Sequence, residues 1–243
     1  MMNRKVFIPM LVLVFLIVLA PYSFAEKAKL MTGENVLACS NYNDGLTSSD
    51  MTLIVQLEAD GKILVKEGDK VKYLYPNASP GDDWMKSSFN DSSWTDGISG
   101  VGFADNDDNT EVPAKVNPVI FTRYRFNVDD ATAVKKLIFK ADYDDGYVAY
   151  LNGVEIARST TMSAGGSKPG DLVSWNYSND SGKATNHESS ADNGNNVKGI
   201  KGKPNPDRVF QDDFTIEFAA VSGTAVKSTG KLATTWGDIK AVR

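Results

Sequence analysis

The sequence predicts an all-β protein built as an antiparallel β-sandwich or jelly roll. Its apolar residues fall in short runs separated by Gly, Asn and Asp turns, and the 3.6-residue periodicity of amphipathic helices is scarce. Asn152-Gly153 stands between two alternating runs, and this dipeptide is the strongest short signal for a two-residue hairpin turn. The chain is long enough for one large sandwich with a sizeable core.

Residues 1–25 have the features of an export signal. Arg4 and Lys5 precede an apolar stretch over residues 6–20, and Pro21 ends that stretch ahead of small residues that suit a cleavage site. The alternative is an uncleaved N-terminal anchor, because the apolar segment is long enough to span a bilayer. Both interpretations predict a secreted or cell-surface protein.

Cys39 is the only cysteine, so the chain cannot form an internal disulfide and must be stabilised by its core. We interpret Cys39 as a small buried hydrophobe. The alternative is lipidation, because the preceding Val36-Leu37-Ala38 resembles a lipoprotein box, although it lies well beyond the apolar part of the export signal.

The charge balance is acidic, with a formal net charge of −5 that falls to −7 when Arg4 and Lys5 are removed with the signal. The basic residues form no clustered stripe along the sequence. This balance argues against nucleic acid and against anionic membrane surfaces as partners.

Alternating runs and turn residues give the predicted strands. In chain order they are residues 51–57, 62–66, 71–75, 120–128, 134–141, the two arms of a hairpin within 144–158, and 209–221, where Phe214, Ile216 and Phe218 share one face. In the hairpin, Val148 and Tyr150 are expected on one face, and Tyr147, Ala149 and Leu151 on the other. The predicted organisation is a set of N-terminal strands in 26–60, a sandwich over 61–221 with a long polar loop at 176–208, and a tail over 222–243.

Several segments resemble the motifs of one known family. They are residues 84–94 (its "W…FDDSSW" loop), 105–110 (its acidic "GDGDDNT" run), 122–126 ("YxRxxF"), 144–158 ("DDGxxxYxNGxEVAR"), 186–188 ("HEA") and 194–197 ("GxNVLA"). In this combination, the stretch from about residue 63 to residue 221 resembles the galactose-binding-like jelly-roll domains of bacterial extracellular multidomain proteins. The resemblance implies an accessory β-sandwich and carbohydrate as its ligand.

The candidate ligand-binding residues are aromatic and polar side chains near loops. Aromatic rings stack on sugar faces, while Asp, Asn and Arg bond the sugar hydroxyls. The predicted set is Tyr143, Asp144, Asp145, Asn152, Arg158, Trp175, His187 and Glu188. Trp175 is the leading aromatic because it precedes the long polar loop, whereas Trp94 is expected in the core.

Two of these assignments have structural alternatives. Asp144 and Asp145 are also suited to capping the turn through backbone N–H groups, as Asx residues do. Arg158 has alternative partners in Glu155, three residues earlier, and in the Asp residues of the same loop.

The acidic residues at 105–109 predict a calcium site. Asp105, Asp107, Asp108 and Asn109 present alternate oxygen ligands in a short loop, which suits a hard cation. The alternative is a solvated acidic loop. The carboxylates of residues 142–145 form a weaker candidate for the same ion.

The predicted role is non-catalytic. His187 is the only histidine, so a metal site with two or more His ligands is excluded, and no G-x-S-x-G nucleophile elbow is present. We therefore expect a secreted module that binds extracellular or cell-surface carbohydrate. The alternative is a structural or protein-interaction sandwich of the cell envelope without a sugar site, and a hydrolase would require two carboxylates facing each other across a cleft.

Overall fold

The computed structural model describes residues 30–104, 108–164, 168–178 and 208–218, and in these ranges the chain is all-β apart from one short helix. The strands are β1 (Gly33–Tyr42), β2 (Thr52–Ala59), β3 (Lys62–Val65), β4 (Lys70–Leu74), β5 (Thr95–Ile98), β6 (Val101–Gly102), β7 (Thr110–Glu111), β8 (Val119–Val128), β9 (Lys136–Asp144), β10 (Gly146–Leu151), β11 (Val154–Arg158) and β12 (Asp212–Glu217), and the helix is α1 (Thr160–Ala164). Within these ranges, no helix combines the length and the apolar character needed to cross a membrane. The expected export signal and the tail at 222–243 lie outside the described residues.

The strands form two larger sheets, in both of which all neighbours are antiparallel. The six-stranded sheet has the order β11-β10-β1-β8-β4-β5, and the four-stranded sheet has the order β12-β9-β2-β3. Strands β6 and β7 add a short parallel pair. The expected antiparallel β-sandwich is thus confirmed.

The main apolar core lies between the inner faces of the two sheets. Strand β1 contributes Leu37 and Cys39, and β9 contributes Leu137 and Phe139, all of them fully buried. Each large apolar side chain buried in this way contributes about 1.5–3 kcal/mol relative to an exposed one. Cys39 is therefore a small core residue, as the first of its two interpretations requires.

A second apolar cluster covers the opposite, outer face of the six-stranded sheet. We call it the outer cluster. Its buried members are Val36, Ala38, Tyr42, Trp84, Met85, Trp94, Val119, Phe121, Val148, Tyr150 and Met162. The strands β1 and β10 of the six-stranded sheet are consequently buried on both faces over most of their length, which is unusual for an antiparallel sheet.

The hairpin has the predicted turn and the predicted faces. Asn152 and Gly153 join β10 to β11 with φ values of 50° and 91°, the positive values that a type I′ turn requires. Val148 and Tyr150 belong to the outer cluster, while Tyr147, Ala149 and Leu151 belong to the core between the sheets.

Strand β1 was not singled out by its sequence pattern, yet it is central to the six-stranded sheet. It pairs with β10 on one side and with β8 on the other. Its first six residues read Gly-Glu-Asn-Val-Leu-Ala and fit the "GxNVLA" pattern, which we expected at 194–197, outside the described residues. The pattern therefore occurs at the start of the sandwich, within the range 26–60 where N-terminal strands were predicted.

The other predicted strands exist, with shifted ends. Predicted 51–57 corresponds to β2, 120–128 to β8 and 134–141 to β9, which extends to Asp144. The last prediction, 209–221, corresponds to the shorter β12. Phe214 and Ile216 of β12 are buried together in the core, as their spacing predicts.

Candidate functional site

The candidate site is built on residues 168–178, a segment without helix or strand that runs over the outer cluster. We call this segment the strap. It begins with a turn in which the backbone N–H of Lys168 donates to Asp171 Oδ2 (3.0 Å) and the N–H of Asp171 donates to the Lys168 carbonyl (3.0 Å). Val173, Trp175 and Tyr177 pack against the outer cluster. Their alternate spacing turns the residues between them towards solvent, and Ser174 and Asn176 are exposed.

The first end of the strap is held by a buried ion pair on β11. Arg158 donates from Nε to Glu155 Oε1 (2.9 Å) and from Nη2 to Glu155 Oε2 (2.8 Å). The same Nη2 donates to the Asp171 carbonyl (2.8 Å), and the Gly170 N–H donates to Glu155 Oε2 (2.9 Å). Burial alone would lower the pKa of Arg158, but the contacts with Glu155 outweigh burial and raise it.

The second end of the strap is held against the end of β1. The ring of Tyr177 meets the ring of Tyr42 edge-on, with 5.8 Å between centroids, and Ser178 Oγ donates to the Asp44 carbonyl. Tyr42 is itself buried, and burial raises the pKa of its hydroxyl far above the ordinary value. The strap is thus fixed at both ends, and the five residues between them bridge the outer cluster.

Leu172 and Trp175 are the larger apolar side chains of this bridge, and both reach the surface. Leu172 is 60% exposed. Trp175 is half-buried, with the buried part of its indole on the outer cluster. An aromatic ring held in this way offers an apolar surface beside the polar groups of Ser174 and Asn176, which is the chemistry that sugar rings recognise.

Tyr143 and Trp175 do not converge. Tyr143 is 2% exposed and lies in the core between the sheets, where its ring meets that of Tyr147 at 4.7 Å. Trp175 lies on the other face of the six-stranded sheet. The concave surface that would combine these two rings is therefore not formed.

The remaining hairpin candidates are embedded in backbone contacts. Asp145 Oδ2 accepts from the N–H of Asp44, 101 residues earlier (2.7 Å), and the Asp145 carbonyl accepts from Thr161 Oγ1 (2.8 Å). Asn152 Oδ1 accepts from the Val36 N–H (2.8 Å), which ties the turn to β1. Arg158 takes the partner that its alternative interpretation names, Glu155.

One residue from each of the two acidic clusters, Asp108 and Asp144, lies beside Thr52 of β2. Thr52 stands opposite Asp144 in the β2–β9 register, and its Oγ1 donates to Asp108 Oδ1 (2.8 Å). Asp108 and Asp144 are both buried. The alternation in sequence did not indicate this junction, because Thr52 supplies it from a third segment.

Arg208 links the same two regions by charge. It donates from Nη1 to Asp142 Oδ2 (2.8 Å) and from Nε to Glu67 Oε2 (2.9 Å), while Glu67 Oε1 accepts from Asn109 Nδ2 (3.2 Å). Burial would lower the pKa of Arg208, but its two carboxylate partners raise it well above the ordinary value. Asn109 is thereby held by a protein side chain.

The described residues contain no group of three or more His, Cys, Asp or Glu side chains placed to hold a metal ion. Asp105 and Asp107, two of the four predicted calcium ligands, lie outside the described residues, as do His187 and Glu188 of the ligand-binding set. The calcium prediction therefore stays a prediction.

The Trp-rich loop between β4 and β5 is organised by a residue that sequence reasoning did not weigh. Arg123 of β8 points to the outer face, where it donates to Asp91 Oδ2 (2.8 Å) and to the carbonyls of Trp84, Lys86 and Phe89. Its guanidinium also lies 5.2 Å from the centre of the Phe89 ring. Trp84 and Trp94 are buried beside it, so this loop supplies core rather than an exposed platform.

Comparison of the chain with protein-family models, with curated proteins and with solved structures finds no match.

Proposed function

We propose that this protein is an exported, non-catalytic accessory module of the galactose-binding-like jelly-roll type, which binds carbohydrate through the strap. The observation that carries the proposal is the placement of Trp175. Its indole is half-buried on the outer cluster, and the strap that bears it is anchored at Glu155–Arg158 and at Tyr42. Loops fixed on a rigid sheet are where sandwich proteins carry binding residues.

The charge of the site favours neutral glycans over anionic ones. The described strap carries one exposed cation, Lys168, and one exposed anion, Asp171, and the whole chain has a net charge of −5. An anionic polysaccharide would meet general repulsion without a compensating cluster of cations. Ser174 Oγ donates to Asn176 Oδ1 (2.6 Å), and the remaining donors and acceptors of these two exposed side chains are neutral groups that suit sugar hydroxyls beside Trp175.

Calcium is proposed as a structural ion near Asp108. Asp108 is buried and is fixed by Thr52, which holds one of its oxygens in a defined position. Asp105 and Asp107 follow the alternate spacing of hard-cation ligands in the sequence. An ion there would stabilise the loop that joins β6 to β7.

The alternative is a structural or protein-interaction sandwich without a sugar site. Burial of Trp84, Trp94 and Tyr143 favours it, because these rings serve the interior of the protein.

The test is affinity electrophoresis of the full chain in gels that contain galactan, xylan, laminarin or polygalacturonate. Trp175→Ala is compared with the wild type and with Ile63→Ala, a control on the opposite sheet whose residue is 48% exposed. We expect one neutral polysaccharide to retard the wild type and Ile63→Ala, and the affinity of Trp175→Ala to fall by tenfold or more. Equal retardation of all three proteins, or none in any gel, would leave the structural alternative as the better account.

The calcium proposal has its own measurement, the thermal unfolding midpoint of the full chain with calcium and with a chelator. Calcium that binds only the native state raises the unfolding midpoint. At a free calcium concentration one hundred times Kd, the free energy of unfolding rises by about 2.7 kcal/mol. An Asp108→Asn variant should lose that gain. An unchanged midpoint in the wild type contradicts a calcium site.

A further inference from the structure

We infer that the Glu155–Arg158 pair positions Trp175 for its ligand, as a pair of positioning residues that do not themselves touch the sugar. The inference rests on the proposed function, since it concerns the same strap.

Glu155 is the centre of the arrangement. Its Oε2 accepts from Arg158 Nη2 on its own strand and from the Gly170 N–H of the strap. Arg158 Nη2 in turn donates to the Asp171 carbonyl. Two groups of β11 thus fix two consecutive backbone positions of the strap.

The burial of this ion pair indicates that its role is to fix the conformation of the strap backbone. The side chains of Arg158 and Glu155 are 2% and 5% exposed. A buried ion pair adds little net stability, because the cost of removing both charges from water offsets their attraction. A constellation of this kind does, however, impose one arrangement on the backbone that it binds.

Trp175 lies close enough to Asp171 in sequence for the fixed backbone at Asp171 to restrict the position of the Trp175 side chain. Only three residues separate Asp171 from Trp175, and the next anchor follows at Tyr177. Holding both ends removes the conformational freedom that a ligand would otherwise have to freeze, and such ordering is a main cost of binding. Loosening one end should therefore weaken binding while the indole itself is still present.

The decisive variant is Glu155→Gln, which keeps the size of the side chain but removes its charge and one of its two acceptor oxygens. The matched control is Glu58→Gln, because Glu58 also forms a partly buried ion pair, with Lys140 (2.8 Å) on the four-stranded sheet away from the strap. Both variants are compared with the wild type and with Trp175→Ala in the full chain. The two measurements are hydrogen exchange of the strap amides and affinity electrophoresis in galactan, xylan and laminarin gels.

We expect exchange of the amides at 170–178 to become at least tenfold faster in Glu155→Gln, with a fivefold or greater loss of polysaccharide affinity. Glu58→Gln should change neither quantity. A purely structural role would alter unfolding without altering affinity in the folded protein.

The outcomes separate the two ideas. If Trp175→Ala loses binding but Glu155→Gln binds as the wild type does, the positioning role is overturned and the proposed function stands. Unchanged exchange in Glu155→Gln also overturns the positioning role. If Trp175→Ala binds as well as the wild type, the proposed function itself fails, and the positioning role fails with it.

Discussion

Arg123 carries a positive charge into the outer cluster, where its side chain has no exposed surface. The charge is tolerated because one carboxylate and three carbonyls surround it, and because the rings of Phe89 and Trp94 lie close to the guanidinium. Arg125, two residues on, reaches the same Asp91 from a side chain that is 36% exposed. The two arginines therefore form a natural comparison of one ion pair at two depths.

Arg123→Lys should destabilise the protein by about 3–5 kcal/mol, because an ammonium cannot satisfy all these acceptors and leaves buried groups unpaired. Arg125→Lys should cost about 1 kcal/mol or less, as exposed pairs do. Urea unfolding of both variants measures the difference. Equal costs would contradict the role of Arg123 as the organiser of the Trp-rich loop.

Asp91 predicts a pH dependence of stability. Burial would raise the pKa of its carboxyl, but hydrogen bonds from Arg123 and Arg125 outweigh burial and hold the pKa below its ordinary value. A depressed pKa gives stability that is complete above the unfolded value, about 3.9 for Asp, and that is lost as the pH falls through the folded value.

The free energy of unfolding should therefore decline below about pH 4, and Asp91→Asn should make that decline shallower by up to about 1.4 kcal/mol per pH unit. Urea unfolding between pH 2 and 6 tests this, with the exposed Asp82→Asn as a control. An Asp91→Asn slope equal to that of the wild type would refute the assignment.

Residue types were predictable more often than their partners. Glu155 was one predicted partner of Arg158, but residues three apart on a strand face opposite sides, and the two meet here where the β10–β11 register shifts. Asp145 was predicted to accept from backbone N–H groups, but the N–H that it bonds belongs to Asp44, 101 residues earlier. The contacts of Arg123 join segments more than 30 residues apart. Nothing in the local pattern specifies such a contact, so the structure was needed to find it.

Among the elements, the hairpin of β10 and β11 was the most predictable and β1 the least. The hairpin is specified by two adjacent turn residues and by alternation that matches its two faces. In β1, eight consecutive residues are buried because both faces of the sheet are covered. The apolar run at 36–39 has no period-2 signal and also resembled a lipidation motif, and the buried residues around it include the polar Asn35, Ser40 and Asn41.

Gly153→Ala tests the hairpin turn. Gly153 has a φ of 91°, and an added Cβ would lie 3.0 Å from Lys86 Cγ. A non-glycine residue at positive φ costs about 1–2 kcal/mol, and the contact with Lys86 should add to this. Gly81→Ala is the control, because Gly81 has a φ of 83° with no atom within 4 Å of the added Cβ. Thermal unfolding should rank Gly153→Ala as the more damaging change, and equal losses in the two variants would show that the Lys86 contact relaxes freely.

At the scale of the whole molecule, the sandwich has two apolar layers that share one sheet. Phe139 lies between the sheets, and Phe121 lies in the outer cluster beside Trp84, with ring centroids 4.7 Å apart. A sandwich class was predictable from short strands and turns. The second layer was not, because its cover comes from a loop and from the strap, which are neither helix nor strand and whose sequences do not indicate the face that they cover.

The two apolar layers should contribute similar amounts to the free energy of unfolding. Phe139→Ala and Phe121→Ala are each expected to lower the free energy of unfolding by about 3–5 kcal/mol, the cost of a buried aromatic truncation. Ile63→Ala, at a site 48% exposed, should cost less than about 1 kcal/mol. Urea unfolding gives all three values. If Phe121→Ala lowers the free energy of unfolding as little as Ile63→Ala does, the outer cluster does not contribute to stability as a packed core.

Burial of a strand on both faces also determines which of its positions tolerate amino-acid substitution. In β12 the burial alternates along the last four residues, so every second position should accept many residue types. In β1 burial does not alternate, and all positions from Asn35 to Tyr42 should be equally intolerant of substitution. A saturation map of substitutions would then show β1 as one unbroken intolerant block, and β12 as a striped one.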